Sequence, residues 1–196
     1  MELPPKNFNN TTLIIVGTSL WHFVIESILS FSNPEIILIG TKEGKIITRF
    51  RKRMKFVEAD LHIDHAKKFI RTINSLHTKY PDVLLIPSDI DGGKILSCTR
   101  NELKYNCTFL PDLTTIEMFH DKWRFYNFCK EQSFPVPATI RFSSKEEMEF
   151  DKIEKCLGAP FVIKPTNGSF SQGVCIIKNK IVFTATNFAG CISFGD

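Results

Sequence analysis

The sequence lacks the patterns that define several protein classes. Its six cysteines are widely spaced and include no C-x-x-C pair, so neither a zinc site nor a disulfide framework is indicated. The first twelve residues lack the basic and apolar segments of a secretory signal, so we expect a cytoplasmic protein with reduced thiols. The longest apolar stretch, residues 13–29, is interrupted by Gly17, His22 and Glu26, so we expect no membrane span and no membrane partner.

Length and composition indicate a globular protein. The chain has 196 residues, of which 43% are hydrophobic and 23% charged, enough for one domain or one domain plus part of a second. The net charge of +4 is local, because residues 45–56 contain six lysines and arginines and no acid. Nucleic-acid contact through this basic segment is a minor alternative, since short charge runs are usually solvated.

Apolar and polar segments alternate over the first 110 residues. Buried-strand patterns, each ending near a glycine, proline or polar residue, alternate with segments of helical periodicity. The predicted strands are Thr12–Val16, Glu35–Ile39, Asp82–Ile86 and Asn106–Leu110, and the predicted helices are Leu20–Phe31, His62–Lys79 and Ile90–Leu103. This alternation predicts an α/β fold with a doubly wound, mainly parallel sheet.

The pattern changes after Pro111, which predicts a domain at 1–111 and a second at 112–196. A helix capped by Thr114 or Thr115 is expected to reach about Gln132, and a helix capped by Ser143 or Ser144 is expected to end at Gly158. An apolar strand at 161–165, a glycine- and serine-rich loop and a strand at 174–177 follow.

Three motifs of the first domain are weak. Gly17 follows a predicted strand, but the next glycines of the dinucleotide-binding pattern G-x-G-x-x-G are absent. His62 and His65 have a spacing that suits a shared metal, yet we interpret them as solvated for lack of a nearby carboxylate or cysteine partner. Ser88 and Asp89 end a predicted parallel strand, where ligands often bind, and are candidate cosubstrate residues.

The most informative segment is Lys164 with the loop 168–173. Gly168 and Gly173 have the glycine spacing of a P-loop, but the following lysine and hydroxyl residue are absent. Glycines between two strands allow backbone N–H groups to approach phosphate oxygens, and the Lys164 ammonium would add positive charge. Its neighbours look buried, which would make an unpaired ammonium costly and favour an anionic ligand. An ordinary glycine-rich hairpin with a surface lysine remains the alternative.

The order of motifs resembles the ATP-grasp superfamily, in its carbamoyl-phosphate synthase and biotin carboxylase branch, over residues 12–180. The likeness is carried by Asp121-Lys122, the prolines of 134–137, Leu157-Gly158, the segment 160–165 and the glycine loop. It implies a pre-ATP-grasp α/β domain followed by a partial α+β ATP-grasp lobe. The nucleotide-binding residues it implies are Lys122, Lys164, Gly168, Ser169, Phe170, Ser171, Gln172 and Gly173.

The resemblance also implies a function and a limit to it. Family members use ATP to convert a carboxylate into an acylphosphate, which a nucleophile then attacks, so ATP and, in a full-length relative, a small carboxylate are the expected ligands. In the family the Mg²⁺ ligands come from a second lobe, whereas here the only acid after Lys164 is Asp196. We therefore expect no metal site and no activity without the missing lobe, which a complementing subunit or a homo-oligomer would have to supply.

Two further expectations accompany this interpretation. A non-enzymatic nucleotide-binding or ligand-binding regulatory module is the alternative to a ligase fragment. The segment 180–196 is β-branched and apolar where the family has a helix, and we expect it to extend the preceding hairpin.

Overall fold

The computed structural model describes residues 12–19, 21–30, 33–42, 45, 54–108, 110–168 and 171–186. The chain divides into two compact units, Met1–Ile116 and Glu117–Asp196. None of the described helices combines the length and hydropathy that a membrane span requires. The five described cysteines are free thiols.

The first unit is built on a five-stranded parallel sheet. Four of its strands lie in the predicted apolar runs, although the last one is shorter than the predicted Asn106–Leu110, whereas the strand Met54–Glu58 begins in the basic segment and was not predicted. The strand order is β3-β2-β1-β4-β5, with every neighbouring pair parallel. Their bounds are β1 Thr12–Val16, β2 Glu35–Gly40, β3 Met54–Glu58, β4 Val83–Pro87 and β5 Asn106–Cys107. The predicted α/β fold with a mainly parallel sheet is confirmed. Because the strand order reverses between β1 and β4, the carboxyl ends of these two strands form the switch point of the sheet.

Helices cover both faces of this sheet, which explains why its strands are almost continuously apolar. Helix α1 (Trp21–Leu29) packs through Ile25 and Ile28 on the face that carries Leu13, Ile15, Ile36 and Leu38. Helices α2 (Ala66–Ser75) and α3 (Ile90–Thr99) pack on the opposite face, together with Ile14, Val16, Ile37, Ile39, Phe69, Ile73, Leu85 and Ile95. The alternation of strand side chains between the two faces produces two separate core layers.

The second unit has a smaller core. Its elements are α5 Lys122–Glu131, α6 Phe150–Leu157, β6 Phe161–Ile163, β7 Cys175–Ile177 and α7 Lys180–Ala185, and α4 (Leu113–His120) contains the division between the units. Strands β6 and β7 form an antiparallel pair. Phe161 and Ile177 lie opposite each other and are buried with Met148, Phe150 and Ile153. The next pair, Val162 and Ile176, is exposed on the other face.

The helical predictions need three corrections. The predicted helix from Thr114 to Gln132 is two helices, because the Asp121 carboxylate accepts hydrogen bonds from the Trp123 and Arg124 N–H groups and starts a new helix. The predicted helix after Ser143 begins later, at Phe150, although it ends at Gly158 with φ of 76° as expected. The predicted helix His62–Lys79 is shorter, because the 3₁₀ turn Ile63–His65, capped by His62, precedes α2, which ends at Ser75.

The expectation that residues 180–196 extend the hairpin is wrong for their first part. Residues Lys180–Ala185 form helix α7, and the Asn179 side chain caps it by accepting a hydrogen bond from the Val182 N–H at 3.0 Å. This cap outweighs the low helix propensity of the β-branched residues that follow it. The rest of the segment, 187–196, lies outside the described residues.

Candidate nucleotide site

Lys122 ties the start of helix α5 to the loop that follows strand β6. Its backbone N–H donates to the Thr166 carbonyl at 2.9 Å. Its side-chain ammonium donates to the carbonyls of Thr166 and Gly168, at 3.3 and 3.0 Å. The helix begins here because Asp121 caps it, so the capping residue also fixes the position of the lysine.

Lys164 places a second positive charge close to Lys122. Burial lowers the pKa of the Lys122 ammonium below its ordinary value of 10.5, the Lys164 ammonium lowers it further, and Asp121 acts in the opposite direction. Within the described residues, neither ammonium forms a salt bridge. The positive charge of the two lysines is therefore opposed only in part, by Asp121, and by no salt bridge among the described residues.

The burial of the two lysines differs from the sequence argument. From the sequence, the cost of an unpaired ammonium is expected at Lys164, whose neighbours look buried. Lys164 directly follows β6 and is exposed, whereas Lys122 is half-buried and carries the cost of desolvation. The sequence offered no signal for this, because Lys122 is shielded by groups more than 40 positions away along the chain.

The glycine loop has the backbone conformations that its composition predicts. Gly168 has φ of 121° and Gly173 has φ of 68°, a region that favours glycine. Ser171 also has a positive φ, of 58°, and its carbonyl accepts a hydrogen bond from the Val174 N–H at 3.2 Å. Ser171 and Gln172 are exposed. The predicted nucleotide contacts Ser169 and Phe170 lie outside the described residues.

This arrangement suits an anion and does not suit a magnesium ion held by the protein. Two nearby ammonium groups and a glycine turn provide positive charge and room for close backbone approach. Magnesium requires several oxygen ligands. Among the described residues there is no group of three or more histidine, cysteine, aspartate or glutamate side chains that could hold a metal. The described residues therefore do not fit a resident magnesium site.

The candidate cosubstrate residues lie in the first unit, where both already have protein partners. The Ser88 hydroxyl donates to the Ser19 carbonyl at 2.8 Å. One Asp89 oxygen caps helix α3 by accepting the Gly92 N–H at 2.9 Å, and the other accepts the N–H groups of Thr18 and Ser19. Sequence reasoning missed Thr18 and Ser19, because they lie about 70 positions from Asp89.

The paired histidines do have carboxylate partners, contrary to the sequence interpretation. Asp60 lies 2.6 Å from His65 Nδ1, and Asp64 lies 3.3 Å from His62 Nδ1. The backbone N–H of His62, and then the His65 side chain, hold the pKa of Asp60 below its ordinary value. All four side chains are exposed. Each carboxylate is thus matched to one histidine at the surface.

The basic segment 45–56 is described only at its ends. Lys55 lies in β3, where its ammonium donates to Glu35 and to the Tyr80 hydroxyl, the latter at 2.8 Å. The bond to Glu35 is the main cause that raises the pKa of Lys55, followed by the bond to Tyr80. Residues 46–53 lie outside the described residues. Lys55 therefore has partners within the fold.

No protein-family model matches the chain. Solved structures do match it. An N5-carboxyaminoimidazole synthetase of Staphylococcus aureus, complexed with ADP, has a TM-score of 0.61 and 18% identity over 92% of this chain and 45% of its own. A carboxyaminoimidazole ribonucleotide synthase of Aspergillus clavatus, complexed with ATP, has a TM-score of 0.61 and 12% identity over 91% and 44%.

A third structure comes from a different enzyme. The biotin carboxylase domain of the Hydrogenobacter thermophilus 2-oxoglutarate carboxylase, with MgADP, ADP and bicarbonate, has a TM-score of 0.56 and 17% identity over 89% of this chain and 39% of its own. These neighbours are ATP-grasp enzymes, so the resemblance found in the sequence is confirmed at the level of the fold. The chain spans less than half the length of each of these three proteins.

Proposed function

We propose that Lys122, Lys164 and the loop 168–173 bind the phosphates of ATP. The observation that carries this proposal is the half-buried Lys122 ammonium, which donates to the carbonyls of Thr166 and Gly168, feels the charge of Lys164 and forms no salt bridge among the described residues. Repulsion between two such cations is relieved when a polyanion lies between them or beside both. A nucleotide triphosphate supplies that charge together with several hydrogen-bond acceptors.

The loop contributes geometry as well as charge. The Lys122 ammonium holds the carbonyls of Thr166 and Gly168, which fixes the first part of the loop next to the ammonium itself. Gly168 and Gly173 allow the turn conformations through which backbone N–H groups approach phosphate oxygens. On this proposal Lys122 both binds the nucleotide and positions the loop, whereas Lys164 acts through its charge alone.

We place this chain as the ATP-binding portion of a carboxylate ligase, formed by a pre-ATP-grasp domain and a first ATP-grasp lobe. Two of the structural neighbours support the nucleotide, since the S. aureus protein holds ADP and the A. clavatus protein holds ATP. Because the described residues do not fit a magnesium site, we assign them nucleotide binding and no phosphoryl transfer. Turnover on a small carboxylate then requires metal ligands from a second lobe.

Calorimetric titration of the whole chain with ATP and with ADP tests the site. The variants Lys164→Ala and Lys122→Ala should each weaken binding by about tenfold or more, because each removes a charge-assisted contact to phosphate. Lys178→Ala is the matched control, since Lys178 is an exposed lysine next to β7, and it should bind like the unmodified chain. Unchanged ATP affinity in Lys164→Ala would show that Lys164 does not contact the phosphates, and would contradict the proposed site.

An assay of carboxylate-dependent ADP formation with magnesium separates binding from catalysis. We expect the chain to bind nucleotide without turnover on a panel of small carboxylates. Robust turnover by the purified chain would contradict the assignment of phosphoryl transfer to a second lobe, while leaving the nucleotide site intact.

A further inference from the structure

A backbone nest lies at the carboxyl end of β1 in the first unit. The N–H groups of Thr18 and Ser19 both point at Asp89 Oδ2, with N···O distances of 2.6 and 2.5 Å. The hydroxyls of the same two residues lie 3.1 and 3.2 Å from that oxygen. Two backbone N–H groups and two hydroxyls thus surround a single carboxylate oxygen, and the Thr18 hydroxyl can donate to Asp89 or to Asp91. Successive backbone N–H groups arranged in this way form a concave site for anions.

The nest lies where a sheet of this order is expected to bind a ligand. Strands β1 and β4 flank the switch point, and Thr18 and Asp89 come just after these strands. The two strand ends are interlocked, since Ser88 N–H donates to the Val16 carbonyl at 2.9 Å. A Cβ atom at Gly17 would lie 2.0 Å from Ser88 Oγ and 2.8 Å from Asp89 Oδ2, so a side chain at this position would have to displace these two groups.

We propose that this nest is an anion-binding site that the chain fills with its own Asp89 carboxylate, so that Asp89 makes the first unit reject phosphate and carboxylate ligands at its switch point. The second Asp89 oxygen is also engaged, by the Gly92 N–H at 2.9 Å. Asp91 adds negative charge beside the nest, with one oxygen 3.2 Å from the Thr18 hydroxyl. An incoming anion meets occupied donors and two like charges.

This inference does not depend on the nucleotide site of the second unit. It gives Asp89 a role in specificity that differs from the cosubstrate contact predicted from the sequence. A ligand at this edge of the sheet has to be neutral or cationic, or has to displace the Asp89 side chain. The carboxylate also joins α3 to the loop after β1, so the residue that excludes anions is a structural link as well.

The test is a titration of the ¹⁵N-labelled whole chain with sodium formate and, separately, inorganic phosphate, followed at the amide resonances of Thr18 and Ser19. Following these two amides separates the nest from phosphate binding at Lys122 and Lys164. In Asp89→Ala both resonances should shift saturably, with an affinity at least about tenfold higher than in the unmodified chain. Asp91→Ala should raise the affinity far less than Asp89→Ala does, because Asp91 contributes only charge and bonds the Thr18 hydroxyl and neither amide.

Equal formate or phosphate affinity at these amides with and without Asp89 would overturn the proposal, as would a folded Asp89→Ala whose amides ignore both anions. If Asp89→Ala is unfolded in anion-free buffer, formate should restore its native circular dichroism in a saturable manner. Failure of high formate concentrations to do so, beyond the effect of equal chloride, would also overturn the proposal.

Discussion

The switch point of the first unit and the glycine loop of the second both gather groups that attract anions, but they differ in what neutralises those groups. At the switch point the Asp89 carboxylate accepts the N–H groups of Thr18 and Ser19. At the glycine loop Lys122 and Lys164 have no carboxylate partner among the described residues. Whether such groups can bind an external ligand therefore depends on how much of their charge is already neutralised by other groups of the fold.

The cores of the two units also differ, in how many faces of each sheet are covered. The parallel sheet of the first unit is covered on both faces, and most of its central side chains are fully buried. The two-stranded sheet of the second unit is covered on one face, and Val162 and Ile176 on the other face are 53% and 60% exposed. The sheet of the first unit therefore exposes little apolar surface, whereas the sheet of the second unit has an exposed apolar face of the kind that binds other molecules.

The largest expected effect tests the close packing of helix α3 against the end of strand β1 in the first unit. A Cβ atom at Gly92 would lie 2.0 Å from the Val16 carbonyl oxygen, whereas at Gly93 the nearest atom is 4.0 Å away. Gly92→Ala should lower the free energy of unfolding of the first unit by about 4 kcal/mol, or prevent folding. Gly93→Ala should raise it by about 0.5–1 kcal/mol, because alanine favours the helix. Urea denaturation of both variants measures this, and similar stabilities would refute the tight contact.

An effect of intermediate size tests the one-sided sheet of the second unit. Ile177 is fully buried and Ile176, its neighbour in β7, is 60% exposed. Ile177→Ala should cost about 3 kcal/mol of stability, and Ile176→Ala less than about 1 kcal/mol. Hydrogen exchange at β6 and β7, together with urea denaturation, distinguishes the two. An equal loss in Ile176→Ala would show that the outer face is covered in solution.

The smallest effect concerns the charge of the lysine pair. Lys164→Met removes the neighbouring cation, so the pKa of Lys122 should rise while staying below 10.5, since its desolvation remains. NMR titration of ¹³C-labelled lysine side chains measures this shift, and Lys178→Met should leave it unchanged. Nucleotide affinity should be flat near neutral pH and fall as the pH rises through the pKa of Lys122, because the neutral amine no longer attracts phosphate. If Lys164→Met leaves the pKa of Lys122 unchanged, the two ammonium groups do not interact and this prediction is wrong.

Much of the fold was predictable from local patterns. The apolar runs at 12–16, 35–39 and 82–86 predicted buried parallel strands, because strands covered on both faces must be apolar throughout. The positive φ angles at Gly168 and Gly173 were predictable in the same way, since glycine adopts such angles without steric cost. In these places the physical requirement acts within a few consecutive residues.

The predictions failed where a single polar side chain decides between conformations. The helix expected from Thr114 to Gln132 is divided by the Asp121 cap, and the strand expected after Lys180 is a helix that Asn179 caps. A capping bond contributes about 1 kcal/mol, comparable to the summed propensities of a short segment. Composition alone therefore could not have resolved these two segments.

The sequence by itself determined the alternation of strands and helices, the place of the glycine loop and the residue types that could contact phosphate, because these follow from local periodicity and side-chain chemistry. Only the tertiary structure decided which charges remain uncompensated. Asp89 meets Thr18 and Ser19 about 70 positions away, and Lys122 meets Thr166 and Gly168 more than 40 positions away. Electrostatic neutralisation depends on distance in space and on burial, and neither can be deduced from the order of residues.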